Sequence, residues 1–259
     1  MAKGVFISFE GGDGAGKSTQ LSILASWLRD TGRIVVTTRE PGGTELGQAI
    51  RALLLHGGEV APRAEALLYA ADRAQHVAGV VRPALAQGSV VLTDRYLDSS
   101  LAYQGEGREL GQSDVRQLSE WATGHLYPDV TVLLNVPAGL GLQRGTVDGA
   151  DRMEAAGQEF HQSVHERFLA LAAAEPKRFV VINGLGSIAE VAVRVARAVA
   201  GALGVKPDVA EELARVVVED EARLTEAHRV LEELAGQTDD DRRTGSHAQR
   251  VQGTEEHSR

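Results

Sequence analysis
The chain has no cysteine among its 259 residues, which excludes a disulfide framework, a thiolate metal site and a cysteine nucleophile. It has no apolar run approaching the length of a membrane span, and its N-terminus enters an apolar strand directly, without a signal-peptide pattern. A cytoplasmic protein that engages no membrane is therefore expected. Basic side chains are in the minority, with 27 Lys and Arg against 36 Asp and Glu and a net charge of −9. Such a chain is a poor nucleic-acid binder, because phosphate neutralisation dominates that affinity. The histidines show no metal-ligand spacing; His161 and His165 are four apart but lack the His-Glu-x-x-His pattern. Also missing is a guanine-reading Asn-Lys-x-Asp segment: Val132-Leu133-Leu134-Asn135-Val136-Pro137, in the nearest position, does not supply it. That argues against a GTP-binding switch.

What the chain does have begins at residue 5. An apolar strand runs into Gly11-Gly12-Asp13-Gly14-Ala15-Gly16-Lys17-Ser18-Thr19, a Gly-x4-Gly-Lys-Ser loop followed by an amphipathic helix carrying Leu21, Ile23, Leu24, Trp27 and Leu28. Glycines let the backbone wrap an anion with several N–H groups pointing inward. Lys17 adds a mobile charge for β- and γ-phosphates, and the Ser18 hydroxyl is placed for Mg²⁺. The helix contributes its positive N-terminal end to the same spot. This is a nucleoside triphosphate site.

Five β-rich runs, at 4–9, 33–38, 89–93, 130–136 and 178–182, alternate with helical periodicity at 17–30, 46–55, 62–87, 113–124, 154–174 and 187–203. The strands are apolar without alternation, as expected where both faces are buried. The pattern predicts an α/β protein, a doubly wound five-stranded parallel sheet with helices on both faces, with ligands at the carboxyl ends of the strands. Past residue 204 the pattern changes. Residues 205–259 carry 8 Lys and Arg against 14 Asp and Glu. An accessory helix is expected over 205–235, with Leu213, Val217, Leu224, Leu231 and Leu234 on one stripe. The polar segment 236–259 reads as a disordered tail.

The chemistry-bearing residues lie just after strands. Strand three ends in Thr93-Asp94-Arg95-Tyr96, where a carboxylate provides a second anchor for Mg²⁺ or, read plainly, forms a surface ion pair. Strand two ends in Thr38-Arg39-Glu40-Pro41-Gly42-Gly43-Thr44, a sharp turn, and Arg51 follows on the next helix. Tyr69 and Arg73 are four apart and share a helix face; they suit a flat heterocycle, or else a core aromatic beside a surface arginine. The cluster from Asp98 to Gly105 includes Ser100, Tyr103 and Gln104, whose amide can read a base edge.

Taken together, Phe9-Glu10 with the glycine loop, Thr38 to Thr44, Leu67-Leu68-Tyr69-Ala70-Ala71-Asp72-Arg73 and Asp94 to Gln104 resemble the thymidylate kinase family over roughly residues 3–203. The resemblance implies a P-loop kinase domain over 1–204, ATP and dTMP as substrates, Mg²⁺ as cofactor and a homodimer. It implies that Gly11 to Thr19 bind ATP and that Ser18 and Asp94 hold the metal. Asp13 then meets the acceptor 3′-hydroxyl, Tyr69 stacks on thymine, and Arg73 and Gln104 read its polar edge. Arg51 and Arg95 grip the acceptor phosphate, with Glu40, Ser100 and Tyr103 lining the same pocket. Lys17 and Arg95 are the implied catalytic charges. Some relatives carry a catalytic arginine in the loop where this chain has Gly14; here a lid at 144–154 is expected to supply it, from Arg152 first and Arg144 second. Phosphorylation of dTMP to dTDP is the expected reaction. A kinase for another nucleoside monophosphate, or for a deoxynucleoside, is the alternative. A scaffold without turnover is disfavoured by the presence of Lys17, Ser18, Asp94 and Arg95.

Overall fold
The computed structural model describes residues 4–107, 110–145, 153 and 156–206, apart from the side chains of 106–107 and 142–145, together with the isolated residues 208 and 218. Apolar, β-rich runs form β1 (Val5–Glu10), β2 (Val35–Arg39), β3 (Val90–Asp94), β4 (Val130–Asn135) and β5 (Phe179–Asn183). All pair in parallel in the order β2-β3-β1-β4-β5. The central strands are buried almost end to end, and alternate residues serve opposite faces. Phe6, Val91, Leu133 and Phe179 join one core cluster, which also contains Leu54, Val77, Leu101 and Phe168 from helices. The other face is covered by α1 (Lys17–Asp30) and α9 (Ile188–Val199), which pack on each other through Ile23, Leu24, Trp27, Val195 and neighbouring residues. Sheets covered on both faces account for the missing polar alternation.

Between β2 and β3 lie α2 (Glu45–His56) and α3 (Pro62–His76); a π-helical turn at Val77–Val81 carries α3 into α4 (Arg82–Ala86). The predicted helix 62–87 is thus one rod with a wide turn in it. After β3 come α5 (Leu97–Ser100), continued by a π turn over Leu101–Gly107, and α6 (Gln112–Thr123). Then follow α7 (Ala138–Gly145) after β4 and α8 (Gln158–Ala174) before β5. Two of these elements lie outside the helices expected from the sequence. The polar cluster from Asp98 to Gly105 lies in a helical stretch, where Asp98, Ser99 and Ser100 are buried and hydrogen-bonded to distant side chains. The segment 138–145, to which the sequence pattern assigns no element, forms a helix despite Gly139 and Gly141.

The chain divides into a compact unit, Met1–Arg215, and a second unit from Val216 onward. The expected accessory helix at 205–235 and the polar tail at 236–259 fall outside the described residues, except for 205–206 and the helical Asp208 and Val218. None of the described helices is long and apolar enough to cross a membrane.

Candidate active site
The strand order reverses direction around β1, so the carboxyl ends of β1, β3 and β2 open onto one crevice. The glycine loop bridges β1 and α1. Gly11 has φ +134° and Gly14 φ +69°, left-handed conformations that side chains disfavour. A Cβ on Gly11 would come within 2.6 Å of the Leu134 carbonyl, and one on Gly14 would overlap the carbonyl of Gly141 in α7. The position where some relatives put an arginine is therefore closed here by backbone. Inside the loop, Lys17 Nζ donates to the carbonyls of Gly11 (3.1 Å) and Gly12 (2.8 Å). Burial lowers its pKa, with the Arg95 charge acting in the same direction.

At the end of β3, Ser18 Oγ donates to Asp94 Oδ2 at 2.7 Å, while Asp94 Oδ1 is buried without a hydrogen-bond partner. This pairing, across 76 residues of sequence, replaces the surface ion pair that a plain reading of Asp94-Arg95 allowed. Arg95 turns instead toward the loop, with φ +70°. Its guanidinium donates to Gly11 O (3.2 Å), Ser99 Oγ (3.0 Å), Tyr103 Oη (3.2 Å) and the Asp13 carboxylate. Tyr103 donates in turn to Asp13 Oδ2 at 3.0 Å. Burial would raise the Asp13 pKa, but Arg95 and Lys17 overcome it and hold the carboxyl at about 2. Burial would lower the Arg95 pKa, but Tyr103, Asp13, Asp94 and Glu10 raise it well above the usual guanidinium value.

Glu10 fixes this corner from behind. It accepts from the Tyr96 N–H (2.8 Å) and Ser99 Oγ (2.6 Å), both just after the left-handed Arg95. Burial, with Asp98 nearby, raises its pKa to about 8. Sequence reasoning quoted Glu10 only as part of the loop motif. Its signal was an acidic residue on an otherwise apolar strand.

The opposite wall comes from α3 and the end of β2. Glu40 is buried and bidentate, accepting from Arg73 Nε (2.7 Å) and pairing with His76 Nδ1 (2.8 Å); His76 Nε2 reaches Thr38 Oγ1 at 2.7 Å. Arg73 also donates to Ser100 Oγ (3.1 Å), the Tyr96 carbonyl (3.2 Å) and Ser119 Oγ (3.4 Å). It is no surface arginine: only 1 % of it is exposed. Arg51 Nη1 donates to the Pro41 carbonyl at 3.1 Å. Asp72 accepts from Gly42 N at 3.0 Å, and burial, reinforced by Glu40, raises its pKa to about 6.

Between the walls lies a cavity of about 260 Å³. Asp13, Gly14, Lys17, Ser18, Asp94, Arg95 and Tyr103 line one side, and Glu40, Arg51, Tyr69, Arg73, Ser100 and Gln104 the other. The structure thus brings together the predicted loop, β3 and α3 residues; Gly11, Gly12, Ala15, Gly16 and Thr19 build the loop itself. It adds Leu55, which lies in no motif, and Arg39, Ser99 and Met153, which lie within motifs but had no role assigned to them. The expected lid at 144–154 falls almost entirely outside the described residues. Arg144 contributes only its backbone, at the end of α7, and Arg152 is not described. Among the described residues, no three His, Cys, Asp or Glu side chains gather as a metal cage. One carboxylate with an unpartnered buried oxygen beside a hydroxyl still fits Mg²⁺, which is usually held by one or two carboxylates and substrate phosphates.

The family model for thymidylate kinase matches residues 9–195. A thymidylate kinase of Bifidobacterium longum (strain DJO10A) is 58 % identical over 190 residues, covering 71 % of this chain and 92 % of the relative. One from Clavibacter sepedonicus is 58 % identical over 185 residues, 70 % of this chain and 87 % of its own. Among solved structures, the crystal structure of thymidylate kinase from Ehrlichia chaffeensis superposes with a TM-score of 0.64 at 32 % identity, covering 75 % of this chain and 97 % of that one. With the loop, the strand-end carboxylate and the α3 wall meeting in one cavity, this chain belongs to the thymidylate kinase family.

Proposed function
We infer that this enzyme transfers the γ-phosphoryl group of ATP to dTMP, giving dTDP and ADP, and that residues 1–204 suffice for it. The observation that carries the reading is the single cavity with a triphosphate cradle on one side and a stacking aromatic beside an amide, Tyr69 and Gln104, on the other. An oxygen of the dTMP phosphate attacks the γ-phosphorus as the bond to the β–γ bridging oxygen breaks. The attacking oxygen is already anionic, so no side-chain nucleophile or general base is needed; positioning and charge supply the rate. Lys17 leaves its two carbonyl partners for the phosphates, and Arg95, braced by Asp13, Tyr103 and Ser99, meets the acceptor phosphate. Asp13 stays ionised to accept from the acceptor 3′-hydroxyl. Arg51 completes the grip, while Arg73 holds Glu40 and Ser100 in place at the base end. Ser18 and Asp94 are the ligands proposed for Mg²⁺, which when bound neutralises charge on the β- and γ-phosphates. A closing lid with Arg152 or Arg144 supplies the last positive charge and excludes water.

The test is ADP release from ATP, dTMP and Mg²⁺, with Lys17→Ala alongside. Removing one such electrostatic stabiliser costs roughly 10²–10³ in kcat. Because Lys17 bonds only loop carbonyls, the variant should keep its fold. A variant with near wild-type kcat would show that the loop is not the catalytic cradle.

A further inference from the structure
Glu65 has no part in the motifs and does not line the cavity, yet it is 1 % exposed and its Oε1 accepts from Gln104 Nε2 at 2.9 Å. The pair bridges 39 residues, from the first turn of α3 to the π turn after α5. Glu65, Tyr69 and Arg73 are spaced by four, so Glu65 shares the helix face that forms the base wall. Gln104 is itself 1 % exposed but reaches the cavity surface.

A glutamine amide presents a donor on one side and an acceptor on the other, and nothing in the side chain prefers either orientation. A carboxylate offers only acceptors, so Glu65 holds the NH₂ end. Among the described residues, Gln104 Oε1 accepts from no protein group. We propose that Glu65 is a specificity-determining positioning residue: it fixes the orientation of the Gln104 amide so that the carbonyl faces the base, selecting pyrimidines that carry an N3–H. This deepens the reading of the cavity as a dTMP site and rests on it. Thymine and uracil present N3–H as a donor, whereas cytosine presents N3 as an acceptor and would meet the Gln104 carbonyl lone pair to lone pair. A polar group left unpaired in a closed site is rejected far more strongly than a missing contact.

Glu65→Gln keeps the volume but offers a donor as well as an acceptor, so the Gln104 amide can turn over. The kcat/KM ratio for dTMP over dCMP should fall at least about tenfold, a loss comparable to one net hydrogen bond. The dTMP over dUMP ratio should stay within about twofold, because both carry N3–H. In a Gln104→Met background, which lacks the amide, Glu65→Gln should leave the dTMP over dCMP ratio unchanged, since Glu65 acts through Gln104. General loosening of the pocket would instead move all acceptor ratios together. Wild-type protein gives a reading that does not depend on the variant folding: the Gln104 side-chain amide protons should be protected from exchange with and without dTMP. An unchanged dTMP over dCMP ratio in Glu65→Gln overturns the proposal, as does amide protection that arises only when dTMP binds. Wild-type protein that turns over dCMP but not dTMP would overturn the dTMP reading itself.

Discussion
Glu10 is the side chain in this site whose burial is hardest to reconcile with a full charge. It sits at the end of a central strand, holds the segment just after Arg95, and has a pKa raised to about 8. Its folded pKa lies above the unfolded one, so its stabilising contribution is complete in acid and is lost as pH rises through about 8. Asp72, raised to about 6, has the same sign but is exhausted at lower pH; Asp13, held at about 2, loses its contribution only in strong acid. Between roughly pH 6.5 and 8.5 the thermal midpoint should therefore fall in the wild type, and Glu10→Gln should flatten that slope. Parallel curves for the two proteins would contradict this assignment. At this scale the sequence was legible where chemistry follows residue type, as with Lys17, Ser18 and Asp94. It was silent where a partner is remote. Arg73 looks the same in sequence whether it lies on a surface or, as here, donates to Glu40, Ser100, Ser119 and the Tyr96 carbonyl.

The glycine loop and α7 belong together as elements. Gly14 and Gly141 face each other, and a Cβ at Gly141 would overlap the Asp13 carbonyl, so the helix rests on the loop through backbone alone. Low helix propensity in Ala138–Gly145 is the cost of that contact, and it is why the segment did not read as a helix. Gly14→Ala combines a positive φ with a clash against carbonyl, and should destabilise by roughly 2–4 kcal/mol in denaturant unfolding. Gly12 has no heavy atom within 4 Å of its Cβ position, and Gly12→Ala should unfold close to wild type. Equal stability of the two variants would mean that α7 does not rest on the loop. The strands, by contrast, were readable to within about two residues, because burial on both faces makes each a continuous apolar run. The helix at 97–107 was hidden by buried serines and Asp98. The Asp98 carboxylate is paired with Arg178 at 2.6 Å and 2.9 Å.

On the scale of the molecule, the sheet order puts the phosphate loop, the Asp94–Arg95 turn and the Glu40 turn at one edge, which the alternation of strands and helices foretold. The surface is less legible. Trp121 is 81 % exposed, and Leu46, Leu53 and Leu67 are each more than half exposed, on α2, α3 and α6, which pack side by side. The family resemblance implies a homodimer, and these exposed apolar side chains are where we propose that a second copy docks. Sedimentation of the full chain should give twice the mass of one copy, and Trp121→Glu should shift it toward one. A wild-type protein that sediments as a single copy at micromolar concentration contradicts the proposal. The central claim, that this cavity moves phosphate from ATP to dTMP, is tested most directly by kcat/KM for ADP release across dTMP, dUMP, dGMP, AMP and thymidine, with and without Mg²⁺. The account predicts dTMP first, weak turnover of dUMP, essentially none for the purines or for thymidine, and loss of all turnover without the metal. Preference for a purine monophosphate, or phosphorylation of thymidine in place of dTMP, would contradict it.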